Sequence, residues 1–309
     1  MKNTSVGKGF FFAILAFSLW GILPLYWKLL AAIDSLHILA FRILFSLILV
    51  GAILLANKSF SWLGIFKEPK KAGLMILTAL LLCGNWGIYI WAINQGHTLE
   101  ASLGYYINPL VSIILGLVFL RERLKVLQWV AVIIASIGVL TLTILSGSVP
   151  WVSLLLALTF GFYGLLKKKL TLPALESLGA ETLASAPLGV LLLFVSLNNA
   201  GGGAGGGSSA IALSGLQGLE YLGNLPVYTL AALALAGLIS SFPLYCFAHG
   251  AKLLPLSALG FIQFISPTIN FFLALFVFGE EFLPHNFAAF AFIWAAVVIY
   301  IISLKKSGK

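Results

Sequence analysis

Charged side chains are scarce in this sequence. Asp, Glu, Lys and Arg together make up 9% of its 309 residues, whereas apolar residues make up 61%. Soluble domains carry about 25% charged residues, so this composition excludes a soluble globular domain. The mean hydropathy of +1.08 supports the same conclusion. The sequence therefore predicts an all-α integral membrane protein that is surrounded by a lipid bilayer.

Cysteine and histidine are also few. The two cysteines, Cys83 and Cys246, fall inside apolar runs and give neither a disulfide framework nor a metal-ligand spacing. No two of the four histidines are spaced four residues apart. The sequence also has no phosphate-binding Gly-x-x-x-x-Gly-Lys-Ser/Thr motif and no His-Glu-x-x-His motif. We therefore expect no catalytic residue, no metal and no cofactor, and hence no enzyme and no direct use of ATP.

The basic residues lie in short clusters between long apolar runs. The net charge of +9 would suit nucleic acid, but this clustering is typical of the cytoplasmic loops of membrane proteins, so no nucleic-acid partner is expected. With the N-terminus in the cytoplasm, the outer loops contain no lysine or arginine, and both termini are predicted to be cytoplasmic. Ten runs can cross about 30 Å of hydrocarbon as helices. The predicted spans are 9–30, 36–56, 73–95, 99–120, 126–145, 149–166, 179–197, 226–248, 255–278 and 286–304.

One stretch, Leu99 to Arg123, is apolar enough to span a membrane yet carries polar side chains at helical spacing. Tyr105, Asn108 and Ser112 are three and four residues apart, so they share one helix face. Pro109 removes a backbone hydrogen bond in the middle of that face, which predicts an interrupted helix.

The same pattern returns in the second half of the chain. Pro267 follows Pro109 by 158 residues, and the polar residues around it are Gln263, Ser266 and Asn270. Gly104 matches Gly260 at an offset of only 156 residues, a slip that fits either a local bulge or a misalignment. Two proline-interrupted apolar segments at matching positions indicate the binding site of a transporter.

Ten helices in two similar halves give five helices to each half. Because five is odd, the second half must enter the membrane the other way up. We therefore predict two inverted repeats, residues 1–146 and 147–309, with a Gly-rich outer loop at 198–225. A weaker match between the first helices of the two halves sets Trp20 against Tyr163.

Polar and aromatic side chains within the spans are the candidate solute-binding residues. The expected lining of a central cavity is Trp20, Asn85, Trp86, Tyr89, Asn94, Tyr105, Asn108, Ser112, Gln263, Ser266 and Asn270. The alternative for the amides is a hydrogen bond that only joins two helices. The aromatic faces suit an amphipathic or cationic solute.

Three charged residues, Lys28, Arg42 and Glu100, reach a similar depth on the predicted outer side. We predict that Glu100 pairs with Arg42 or Lys28 and helps to close an outer gate. The alternatives are a helix-dipole role for Glu100 and headgroup or structural ion-pair contacts for the basic residues. Glu100 and Glu181 both lie near predicted span ends, which leaves no carboxylate at mid-membrane as a proton carrier. Glu122 is predicted to cap the helix that follows it.

Four segments carry a resemblance to a known family. The resemblance is to the RarD (chloramphenicol-sensitivity) proteins of the EamA family, in the drug/metabolite transporter superfamily, and its segments are Gly84–Trp86, Trp91–Asn94, Leu99–Leu110 and Gly260–Pro267. The resemblance implies a ten-helix permease of the bacterial plasma (inner) membrane with a cavity between its halves. Gly279 keeps a glycine typical of the superfamily, whereas the first half has Arg121 at the matching position.

These observations predict a secondary transporter, a permease or exporter of a small organic metabolite or drug that works by alternating access. The alternative is an amino-acid exchanger or a facilitator without ion coupling. Proton coupling remains open, as does the choice between a monomer and a homodimer. An intramembrane enzyme would need a nucleophile and a base or metal ligands within the spans. A channel would need rings of charge or a repeated filter, and the sequence shows neither.

Overall fold

The computed structural model describes residues 2–95, 97–145, 151–200, 220, 223–279 and 284–305. These residues form a helical protein in which no strand is present among the described ranges. The α-helices are α1 (Lys2–Leu29), α2 (Ser35–Ala56), α3 (Pro69–Asn94), α4 (Thr98–Phe119), α5 (Val126–Leu145), α6 (Trp151–Lys169), α7 (Ala174–Ala200), α8 (Val227–Leu253), α9 (Leu256–Gln263), α10 (Ile265–Phe276) and α11 (Pro284–Lys305). A short 3-10 helix, Ser61–Lys67, precedes α3.

Ten helical segments in the described part of the chain are long and apolar enough to cross a membrane. They contain 18 to 27 residues each, with α9 and α10 together forming one of them. Helices are expected here because hydrocarbon offers no partner to backbone N–H and C=O groups, which must be satisfied within the segment. The predicted all-α membrane fold and its ten spans are confirmed.

The two proline-containing helices differ from the expectation that both are interrupted. α4 continues as a helix through Pro109, so the predicted interruption there is wrong. In the second half, α9 ends at Gln263, the residue whose carbonyl would otherwise accept a bond from the missing N–H of Pro267. Phe264 follows the end of α9, and its N–H is bonded to the carbonyl of Phe261, a tighter turn than an α-helix makes.

The interruption of the helix at Phe264 offers a reason why the offset between the halves is 156 residues at Gly260 but 158 residues at Pro267. Gly260 and Pro267 enclose two more residues than Gly104 and Pro109 do. The helix is interrupted inside that longer segment, which favours a local insertion over a misalignment. The left-handed backbone also recurs at the repeat spacing, with a φ of 54° at Arg121 and 67° at Gly279.

The chain divides into two compact units, and each draws on both halves of the sequence. Unit 1 comprises Met1–Ile22, Leu81–Thr171 and Cys246–Lys309, and unit 2 comprises Leu23–Leu80 and Leu172–Tyr245. The repeats at residues 1–146 and 147–309 stay a prediction. The predicted loop at 198–225 lies largely outside the described residues.

Within unit 1, α4 packs along α6 and α9, while α5 packs along α11. Gly260 permits the close approach of α9 to α4, because a Cβ at this position would lie 2.7 Å from the carbonyl oxygen of Pro109. Within unit 2, α2 packs along α7. The hydroxyl of Ser46 donates to the carbonyl of Gly237 at 3.2 Å, which ties α2 to α8 in that unit.

Candidate solute-binding site

The polar faces of α4 and α9 meet inside unit 1. Ser112 and Gln263, predicted from opposite halves of the sequence, are joined by a hydrogen bond, with 3.2 Å between Gln263 Nε2 and Ser112 Oγ. The exposed fractions of the two residues are 1% and 4%. A buried polar side chain in a span needs such a partner, because the surrounding hydrocarbon supplies none.

Two further predicted residues are buried at the same junction of α4 with the second half. Asn108 on α4 is 9% exposed, and Ser266, at the start of α10, is 6% exposed. The Oδ1 atoms of Asn108 and of Asn270, one turn further along α10, are buried and have no hydrogen-bond partner among the described residues. Leaving a buried acceptor unsatisfied costs about 1–3 kcal/mol. These two oxygens are therefore chemically able to accept a hydrogen bond from a solute.

The predicted aromatic residues fall into two groups in unit 1. Tyr89 and Tyr105 contact each other edge to face with 5.8 Å between ring centroids, and Tyr105 is 41% exposed. Trp20 lies instead against Phe160 and Phe247, at 5.6 and 5.7 Å. This second group contains further aromatic residues that were not predicted as lining, and the whole cluster is Phe17, Trp20, Phe160, Tyr163 and Phe247.

The sequence contained a signal for the aromatic cluster. Trp20 and Tyr163 stand at matching positions of the two halves, and the structure places both of them on Phe247. Trp86 is half-buried on α3. The side chain of Asn94, another predicted lining residue, lies outside the described residues.

Asn85 makes hydrogen bonds that join two helices, which was the alternative to a role in lining the cavity. Its Nδ2 donates to the carbonyl of Leu156 and to the hydroxyl of Thr159 on α6, both at 2.9 Å. The amide of Asn85 thus joins α3 to α6, whereas the carboxamide oxygen of Asn108 is left without a partner among the described residues. Both asparagines were predicted to line the cavity. Asn85 instead makes the helix-joining hydrogen bonds of the alternative, whereas the Oδ1 atom of Asn108 does not do so within the described part of the chain.

The three residues predicted to form a gate are divided between the two units. Glu100 belongs to unit 1, where its carboxylate lies 2.9 Å from His97 Nδ1 and accepts from the N–H of Val152 at 3.3 Å. Lys28 and Arg42 belong to unit 2. The pairing of Glu100 with either cation stays a prediction.

Arg42 is held by two contacts within unit 2. Its Nε donates to the hydroxyl of Ser240 at 2.9 Å, and its guanidinium lies 4.8 Å from the ring centroid of Trp27. A planar guanidinium can make both contacts at once, because it donates in its plane and stacks on an aromatic face. Lys28, at the end of α1, is exposed.

Glu122 is a helix cap, but not for the helix that follows it. Its carboxylate accepts from the backbone N–H groups of Leu256 and Ser257 at 2.6 and 2.9 Å and from the Ser257 hydroxyl at 2.7 Å. These groups form the first turn of α9, so the prediction that Glu122 caps α5 is wrong. The carboxylate goes instead to a helix of the second half, where three donors converge on it.

Two buried charged residues were missed or misplaced by sequence reasoning. α7 begins at Ala174 rather than near residue 179, which places Glu181 about 10 Å along the helix. Glu181 is only 2% exposed and does not lie near the helix end as predicted. Lys167, in the last turn of α6, is 1% exposed, and its Nζ lies 5.8 Å from the ring centroid of Tyr163.

The helices and the buried polar face define the class of protein. The described ranges contain ten membrane-length helices with hydrogen-bonded polar side chains between them, which is the architecture of a multi-pass α-helical membrane protein. A crystal structure of a protein that is 16% identical superposes with a TM-score of 0.68, covering 94% of this chain and 96% of its own. At that identity the similarity establishes the fold.

Comparison with known sequences identifies the family. The model of the EamA-like transporter family matches residues 7–144. An uncharacterized transporter of Vibrio cholerae is 42% identical over 97% of this chain and 94% of its own length. The RarD protein of Escherichia coli K12 is 38% identical over 97% and 96%, and a chloramphenicol-sensitive RarD protein of Pseudomonas aeruginosa is 32% identical over 95% and 93%.

The chain belongs to the EamA-like transporter family. The resemblance to its RarD members, and to the drug/metabolite transporter superfamily that contains them, is confirmed. The protein is a membrane transporter and a multi-pass protein of the bacterial inner membrane. The Vibrio cholerae relative carries the name of a transporter.

Proposed function

We propose that this protein is a secondary transporter that moves a small organic solute by alternating access of two inverted halves. The observation that supports this most is the meeting of two repeat-related polar faces at the Ser112–Gln263 hydrogen bond. Asn108 and Ser266, which belong to these two polar faces, are both buried within the protein. Binding at the interface of inverted repeats is the common arrangement in such carriers.

The solute-binding residues divide by chemistry. Asn108 and Asn270 supply buried acceptor oxygens, while Tyr89, Tyr105 and Trp86 offer aromatic faces from α3 and α4. A solute with hydrogen-bond donors and an apolar or aromatic body matches this combination. Relatives named for chloramphenicol sensitivity make amphenicols reasonable probes alongside amino acids.

The orientation follows from the distribution of basic residues. The loops on one side of the membrane carry the lysines and arginines, and such basic loops are typically cytoplasmic. The N- and C-termini are on the same side as these loops and therefore lie in the cytoplasm. Glu100 then lies at the outer end of α4, where its pairing with Arg42 or Lys28 would close an outer gate. Glu100→Gln should change transport and the accessibility of the outer side, and no change in either would refute the gate. A thiol reagent that cannot cross the membrane, applied to single-cysteine variants in each terminus, tests the orientation.

Transport can be tested with the purified protein in proteoliposomes. Phenylalanine, aromatic amines and amphenicols are first screened by thermal stability, since a ligand that binds only the folded state raises the melting temperature. Flux of a stabilising compound is then measured against its concentration. Saturation is expected of a carrier, whereas flux that rises linearly with concentration would contradict the proposal and favour a channel.

Coupling to protons and simple exchange are distinguished in the same vesicles. If the carrier is proton-coupled, an imposed pH gradient drives accumulation of the solute above its external concentration. If it is an exchanger or facilitator, the gradient changes nothing, and preloaded solute alone accelerates uptake. The buried carboxylate of Glu181 supports the coupled alternative, because acidic residues inside spans are typical of proton pathways.

A further inference from the structure

His97 lies where the ends of three helices meet. It directly precedes α4 and contacts side chains from α3, α4 and α6. Its Nδ1 lies 2.9 Å from Glu100 Oε1. Its ring stacks on Trp91 with 5.6 Å between centroids and an interplanar angle of 18°, and meets the ring of Trp151 nearly edge on at 6.1 Å.

Glu100 connects this histidine to the beginning of α6. One carboxylate oxygen contacts His97, while the other accepts from the N–H of Val152 in the first turn of α6 at 3.3 Å. The hydroxyl of Ser153 donates to the backbone carbonyl of Glu100. The exposed fractions of the side chains are 37% for His97 and 13% for Glu100, so the imidazole is open to the outside of the protein while the carboxylate is largely enclosed.

The contact with the Glu100 carboxylate indicates which ring nitrogen of His97 can take up a proton. An ionised carboxylate can only accept, so Nδ1 must carry the hydrogen of the contact with Glu100, which leaves the lone pair of Nε2 to take up a proton. Histidine is the side chain that ordinarily changes its charge between pH 5 and 8. In the described parts of α3, α4 and α6, Glu100 is the one charged group within ion-pair distance of His97.

We propose that His97 and Glu100 form a proton-binding site, and that proton uptake tightens the junction of α3, α4 and α6. A proton from water adds to Nε2 and no bond within the protein breaks. The resulting imidazolium lies against the Glu100 carboxylate and stacks on the face of the Trp91 ring, and both neighbours stabilise a cation. The link between this site and transport rests on the proposed function, whereas proton binding itself does not.

Tryptophan fluorescence of the purified protein tests proton binding without any solute. Imidazolium quenches a neighbouring indole, and two of the eight tryptophans contact His97. Lowering the pH from 8 to 5 should therefore reduce the emission by up to about a quarter as the histidine becomes charged. His97→Gln should lose this component. His249→Gln should retain it, because His249 lies against Phe12, at 4.3 Å. A pH response that is equal in His97→Gln and the wild type overturns the proton site.

The link between this proton site and transport is tested in proteoliposomes, with the internal pH fixed and the external pH varied from 5.5 to 8. We expect the flux of phenylalanine or chloramphenicol to depend on external pH in the wild type and to lose that dependence in His97→Gln. A dependence that survives in His97→Gln overturns the link to transport. If the wild type gives no saturable flux of any probe, the proposed function fails, while the fluorescence titration still decides the proton site.

Discussion

Replacing Asn108 and Asn85 by leucine should move the stability of the protein in opposite directions. Asn108 Oδ1 is buried without a hydrogen-bond partner among the described residues, whereas Asn85 Nδ2 makes two hydrogen bonds to α6 at 2.9 Å. Leucine has the same branching as asparagine but carries no polar atom. At position 108 the replacement removes a cost, and at position 85 it removes two favourable contacts.

The expected sizes follow from the energetics of hydrogen bonds. Asn108→Leu removes an unsatisfied acceptor and should stabilise the fold by about 1–2 kcal/mol, while Asn85→Leu should destabilise it by about 1–2 kcal/mol. By the scaling of globular proteins, 1 kcal/mol corresponds to roughly 1.5 °C in a chain of this length. The melting temperatures of the two variants should therefore differ by roughly 3–6 °C.

The assay is thermal unfolding in detergent, followed by flux measurements in proteoliposomes. Asn108→Leu is expected to be more stable than the wild type and to lose transport, the exchange of stability for function that is typical of binding sites. Asn85→Leu should be less stable. A lower melting temperature in both variants would refute the reasoning, because Asn108 would then be a structural contact like Asn85.

Three further substitutions test the fold. Gly260→Ala should lower stability by about 1–3 kcal/mol, because the added Cβ would lie 2.7 Å from the Pro109 carbonyl; the control Gly51→Ala, with open space around it, should not lower the melting temperature. Arg121→Gly should raise stability by about 1 kcal/mol, because φ at Arg121 is +54°; a fall in melting temperature would contradict this. Glu122→Ala should cost about 1–3 kcal/mol through loss of the cap on α9, and Glu122→Gln less; equal melting temperatures for both would argue against the cap.

The ten spans could be predicted because hydrophobic length is a local property of the sequence. Helix ends were less predictable, and the consequence is largest at Glu181. The apolar signal of α7 becomes strong near residue 179, but the helix begins at Ala174. The polar and small residues of the first turns gave no apolar signal, although packing against α2 in unit 2 buries them.

Side-chain partners were predictable only where the two halves repeat each other. The sequence repeat predicted one polar face around Pro109 and another around Pro267, and the structure joins these faces through the hydrogen bond between Ser112 and Gln263. Glu122 was assigned to the helix next in sequence, whereas its donors lie more than a hundred residues away on α9. A capping preference defines the chemistry of the partner and not its position in the chain.

At each end of α4, a carboxylate accepts hydrogen bonds from the first turn of another helix. At its start Glu100 accepts from the first turn of α6, and just beyond its end Glu122 accepts from the first turn of α9. The unpartnered oxygen of Asn108 lies between these two attachments. Each carboxylate meets the positive end of a helix dipole, so releasing either one costs more than breaking a neutral hydrogen bond. A movement of α4 relative to α6 must therefore break the attachment at Glu100, and a movement of α4 relative to α9 must break the attachment at Glu122.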